Sequence, residues 1–123
     1  QPAHITDFMP TCLELAGVYY PKEYNGIPQD PLDGKSFLPL ISGENTNRDR
    51  TFYWEHEGNK AIRQGDWKLV ALNNQEWELY KISEDPYEQN DMATKELDLV
   101  NELKSKYEDW AKEHGVKSWP LKQ

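Results

Sequence analysis

Apolar residues change their period along the chain. In TDFMPTCLELAG, Thr6 to Gly17, Met9, Cys12, Leu13 and Ala16 can share one helical face, and Gly17 is placed to end the helix. Thr6 or Asp7 is the expected N-cap, Pro10 is tolerated in the first turn, and Cys12 is expected as a buried thiol. Helices shorter than about 12 to 15 residues are marginal alone, so this one needs a surface to lie on. From Val18 to Arg50 the periodicity dissolves into Pro, Gly, Asp and Asn, with a one-turn helix expected around Ser36 to Leu40. Irregular connections beyond about 12 to 15 residues are uncommon inside a compact domain. The stretch therefore reads as an arm made to lie on a missing neighbour.

Period two takes over in the middle. Thr51–Glu55, Lys60–Gln64, Trp67–Ala71 and Glu76–Lys81 are predicted strands, with Gly65-Asp66 and Asn73-Asn74 as hairpin turns. On the third strand Trp67, Leu69 and Ala71 face one side, Lys68 and Val70 the other. Period 3.6 returns in Lys95 to Gly115, where Leu99, Leu103, Tyr107 and Trp110, with Val100 and Ala111, form an apolar stripe opposite Glu102, Lys106 and Asp109. Asp91 or Thr94 is the expected cap of that helix and Gly115 its stop. The predicted fold is α+β: a small antiparallel β-sheet packed against a long C-terminal α-helix, preceded by an N-terminal helix and irregular arm. Residues 1–50 form the arm and residues 51–123 the α+β domain.

A chain of 123 residues suits one core, and five Trp and seven Tyr make that core aromatic. Trp67, Trp77 and Trp110 are expected there rather than as sugar platforms. The net charge of -8, without a Lys/Arg stripe, argues against nucleic acid as a partner. No stretch approaches the roughly 20 apolar residues of a transmembrane helix, and the N-terminus has no signal-peptide pattern. Neither a membrane partner nor an internal disulfide is expected, since Cys12 is the sole cysteine.

Candidate chemistry centres on EHEGN, Glu55 to Asn59. Imidazole and carboxylate are metal ligands, but neighbours on a strand point to opposite sides, and HEGN lacks the second histidine of HExxH. No metal site is expected in these residues. Glu57 with His56 or Glu55 could do acid/base work; the structural alternative has Gly58 making a turn, Asn59 accepting an unusual backbone geometry, and Glu57 paired with Lys60 or Arg63. Arg63 offers a fork of donors to an oxyanion if its strand face borders a groove. A phosphate loop and a GxSxG elbow are both missing from the sequence, so no catalytic nucleophile is expected.

Three stretches, DFMPTCLELAGV (Asp7 to Val18), DGKSFLPLISGE (Asp33 to Glu44) and FYWEHEGNKAIRQGDWKLV followed by WELYKISEDPYEQNDMA (Trp77 to Ala93), together resemble the C-terminal part of a type I, formylglycine-dependent sulfatase of the arylsulfatase family. The resemblance implies an alkaline-phosphatase-like catalytic domain elsewhere in the same polypeptide. The helix Asp7 to Gly17 and the loop through Gly43 would then belong to the end of that domain or contact it. It also implies hydrolysis of a sulfate ester, of an aryl compound or a sulfated carbohydrate, with a calcium ion and a formylglycine made in a CxPSR-type motif. Cys12, followed by Leu-Glu-Leu, does not match that motif, so the resemblance makes this stretch noncatalytic alone. His56, Glu57 and Arg63 are its candidate substrate contacts, Gly58 and Asn59 its loop-shaping residues, and a periplasmic or extracellular location its implication. The competing function is a noncatalytic glycan-binding or protein-interaction module; a self-contained hydrolase using His56 and Glu57 is a third.

Overall fold

The computed structural model describes residues 2–44 and 50–120. The chain divides into two compact units, Gln1–Arg48 and Asp49–Gln123. Residues 45–49, at the end of the expected arm, lie outside the described residues.

In the first unit a single 3₁₀ turn, Ile5–Asp7, leads into helix α1, Phe8–Ala16. Gly17 follows in the left-handed conformation at φ 64° and ends the helix as the sequence implies. The expected cap is used differently. Asp7 stands at the N-cap position of α1, but its side chain makes no cap bond to the helix. The fully buried carboxylate instead accepts the backbone N–H of His4 and of Lys35, each at 2.9 Å. One turn on, the buried Thr11 hydroxyl donates to the Asp7 carbonyl at 2.6 Å and accepts the N–H of Phe37 at 3.0 Å.

These bonds fasten the segment DGKSF to the helix start. Gly34 is required for the approach, because a Cβ there would lie 1.9 Å from the Thr6 carbonyl oxygen. Phe37 meets Phe8 edge-on at 5.4 Å. A two-residue ribbon, β1 (Glu23–Tyr24) with β2 (Ile27–Pro28), and a one-turn helix α2 (Leu38–Ile41) complete the unit. Cys12 departs from expectation: it is exposed. The apolar face of α1 points outward at Phe8, Met9 and Leu15, and Tyr19 beyond the helix is 94% exposed.

The second unit is an up-and-down antiparallel sheet in the order β3 (Thr51–His56), β4 (Asn59–Gln64), β5 (Trp67–Ala71), β6 (Glu78–Lys81), followed by helix α3 (Leu97–Glu113). Register places Tyr53, Ile62, Leu69 and Leu79 in one cross-strand row. Ile62, Leu69 and Leu79 are fully buried against Leu103 and Tyr107 of α3, and Tyr53 stacks on Trp110 at 5.0 Å. Trp67, Trp77 and Trp110 pack around this cluster, as the sequence implies.

Asp91 does not cap α3. Its carboxylate accepts the N–H groups of Leu79 at 2.9 Å and Ala93 at 2.8 Å, fixing the connection to the sheet, while Glu96 occupies the N-cap without a side-chain bond. Asp85 acts similarly within the same connection, accepting from the N–H of Gln89 and Asn90. Lys68 on β5 pairs with Glu88 across to this loop.

Candidate functional site

The EHEGN segment is a two-residue hairpin. His56 pairs with Asn59, leaving Glu57 and Gly58 as the turn, both at positive φ (53° and 84°). That is the type I′ pattern, in which Gly at the second position is ordinary and Glu at the first is strained. Three bonds hold it. The Gly58 N–H donates to Glu55 Oε1 at 2.9 Å, Asn59 Nδ2 donates to the His56 carbonyl at 2.9 Å, and Asn59 Oδ1 accepts the N–H of Asn73 at 3.0 Å. Gly58 is buried under the neighbouring loop, where a Cβ would stand 2.7 Å from Asn73 Oδ1.

This geometry separates the sequence candidates. Glu55 shares the helix-facing side of β3 with Tyr53, whereas His56 lies on the outer side with Trp54 and Phe52. His56 and Glu57 are both exposed. Arg63 sits opposite Phe52 in the register, so it shares the outer face with His56 but lies four residues, about 13 Å, along the strand. Its Nε donates to the Gly65 carbonyl at 3.2 Å, which folds the guanidinium over the next turn. His56 and Glu57 are therefore neighbours at the hairpin tip, and Arg63 is not part of that cluster.

Among the described residues Glu57 makes no ion pair with Lys60 or Arg63, the partners its spacing implies. Lys60 lies instead over the Trp77 ring at 5.9 Å. Glu55 and Asn73 are the loop-shaping residues that sequence reasoning missed. Glu55 had a readable signal, a carboxylate three residues before a turn glycine; Asn73 is legible as a turn residue after β5, but its tie to Asn59 is not. Among the described residues, no group of three or more His, Cys, Asp and Glu side chains could hold a metal ion.

The family model described as N-sulphoglucosamine sulphohydrolase, C-terminal, matches residues 3–113. The chain belongs to this sulphohydrolase C-terminal family. Its relatives carry the same association. An uncharacterized sulfatase of Schizosaccharomyces pombe is 32% identical over 94% of this chain and 22% of its own length. An N-acetylglucosamine-6-O-sulfatase of Bacteroides thetaiotaomicron is 28% identical over 84% of this chain and 21% of its own. The crystal structure of Ps i-CgsB superposes with a TM-score of 0.71 and 28% identity, covering 90% of this chain and 24% of that one. The same protein has been solved in complex with k-i-k-neocarrahexaose. The chain thus spans about a fifth to a quarter of the proteins it matches.

Proposed function

We propose that this chain is the C-terminal portion of a sulfatase that hydrolyses sulfate esters of carbohydrates, and that it braces the catalytic domain while presenting His56 and Glu57 at the edge of the substrate cleft. The observation that carries the reading is family membership over residues 3–113 combined with a hydrogen-bonded hairpin tip whose polar side chains are exposed. The relative named N-acetylglucosamine-6-O-sulfatase favours a sulfated sugar over an aryl sulfate. The outward apolar side chains of α1, Phe8, Met9 and Leu15, favour a covering partner, since surface of that kind marks an interface when it is contiguous. In this reading the partner is the catalytic domain of the same polypeptide.

The chemistry of ester cleavage belongs, in this proposal, to that domain. Cys12 lacks the CxPSR context for a formylglycine, and both the formylglycine and the calcium ion are assigned in this proposal to that domain. His56, protonated or as a neutral donor, and Glu57 as an acceptor would instead hydrogen-bond hydroxyl groups of the sugar. Export to the periplasm or cell exterior, where sulfated polysaccharides are met, belongs to the same proposal.

The test uses the full-length protein, whose upstream sequence should contain CxPSR or SxPSR. Sulfate release is measured from N-acetylglucosamine 6-sulfate and from an aryl sulfate. The His56→Ala variant should lose at least tenfold in kcat/KM on the sugar while melting like the wild type. Absence of sulfate release from either substrate by folded, matured protein would overturn the proposal.

A further inference from the structure

On the helix side of the sheet, opposite to His56 and Arg63, the second unit holds a cavity of about 580 Å³ between the ends of β3, β4 and β5, helix α3 and the segment that follows it. A volume of roughly 300 to 1,000 Å³ is the range of small-ligand pockets. Its walls have a consistent chemistry. Trp119 lines it and is 40% exposed, while Trp77, packed on the core, lines its floor beneath the Lys60 ammonium. Asn73, Asn74 and Gln75 line the rim with consecutive side-chain amides, which donate and accept.

Charge adds direction. Lys60, Lys112 and Lys117 line the cavity against Glu55 and Glu108, an excess of one positive charge in a chain whose net charge is -8. Glu55 is already engaged by the Gly58 N–H, and Glu108 lies 4.0 Å from Lys104. Among the described residues none of the three lysines is paired with a carboxylate. Tyr107 also lines the cavity, 2% exposed, and its hydroxyl has no hydrogen-bond partner among the described residues. Buried hydroxyls are rarely left so, because an unmade bond costs about 1 to 3 kcal/mol.

We propose that this cavity is a binding site for one or two rings of an anionic saccharide, seated on the indole of Trp119 with its acidic group toward Lys60, Lys112 and Lys117. A flat indole takes the C–H face of a pyranose, amides match its hydroxyls, and ammonium groups without a carboxylate partner match a sulfate or carboxylate. A nucleic acid would demand more positive charge than this, and an apolar ligand would leave the amides and lysines unpaired. The site is a second contact for the sugar chain, additional to the hairpin tip.

The experiment titrates the full-length protein with a heparin-derived tetrasaccharide and with the same tetrasaccharide after chemical desulfation, by calorimetry. Wild type, Lys60→Ala and Trp119→Ala are compared; both residues are exposed, so their removal leaves the core intact. Each substitution should weaken one class of sites at least tenfold, desulfation should weaken the same class, and turnover of a small aryl sulfate should remain at the wild-type rate. Isotherms identical to wild type in both variants, with unchanged melting temperatures, would overturn the proposal. A variant-sensitive binding site in a protein that releases no sulfate would sink the sulfatase reading and leave this one standing.

Discussion

The side-chain oxygen of Asn59 accepts the backbone N–H of Asn73 at 3.0 Å, while the nitrogen of the same amide donates to the His56 carbonyl. One side chain thus closes its own hairpin and ties it to the loop after β5. Replacing Asn59 by Ala should cost about 1 to 2 kcal/mol, the loss of two bonds of which one is half-buried. Chemical denaturation would show it as a lower midpoint at unchanged slope. A wild-type midpoint would mean that the tie carries no stability.

The two turn residues should respond in opposite directions. Gly58→Ala places a Cβ 2.7 Å from Asn73 Oδ1 at φ 84°, and should destabilise by more than about 1 kcal/mol. Glu57→Gly relieves a left-handed Glu and should stabilise by about 0.5 to 1 kcal/mol. Paired thermal melts decide the matter, and equal signs for the two would contradict a type I′ turn.

Asp7 holds the arm to its helix. Asp7→Ala leaves the N–H groups of His4 and Lys35 without that acceptor and should cost about 2 to 3 kcal/mol, with Asp7→Asn milder because one oxygen remains. Faster proteolytic cleavage between Asp33 and Phe37 in the alanine variant is the expected readout. Unchanged protection of that segment would show that other contacts hold it.

The Tyr107 hydroxyl is pushed up to about 12 from 10.0, chiefly by burial and then by the Glu55 carboxylate. The folded state therefore keeps its proton where the unfolded chain has begun to lose it. This contribution to stability is complete below pH 10 and disappears as pH rises from 10 through 12. Tyr107→Phe should be as stable as wild type at neutral pH, or more so, and should lose less stability over that alkaline interval. Denaturation midpoints at pH 8 and 11 test it, and equal alkaline losses would refute it. Tyr80, raised to about 12 by burial and by Glu78, contributes a loss of the same sign in both proteins.

Strands, turns and the long helix were legible because each is a local pattern. Alternation predicts the four strands, the Gly58 and Gly65 turns separate them, and the Leu99, Leu103, Tyr107, Trp110 spacing predicts the helix that covers them. The caps were not legible, for a shared reason. Asp7 and Asp91 look like helix caps in sequence, yet each spends its carboxylate on the N–H of a residue in another segment, Lys35 and Leu79. An aspartate's preference for backbone N–H groups is intrinsic; which ones it finds depends on the tertiary fold. The exposure of Cys12 has a similar cause, since helical spacing shows that a face is apolar without showing what covers it. At the candidate site, alternation separated Glu55 from His56 correctly, whereas the distance between His56 and Arg63 needed the register of the hairpin.

That register makes the pairing of β3 a chemical variable. With His56 opposite Asn59, the imidazole projects away from the helix and the Glu55 carboxylate projects toward it. A slip of β3 by one residue against β4 would exchange the two groups, sending an acid outward where a histidine stands, and would turn Tyr53 away from Trp110. The core contact therefore selects which group faces outside. Among related chains, a longer turn that leaves this pairing intact keeps the histidine outward, whatever the number of residues inserted at the tip.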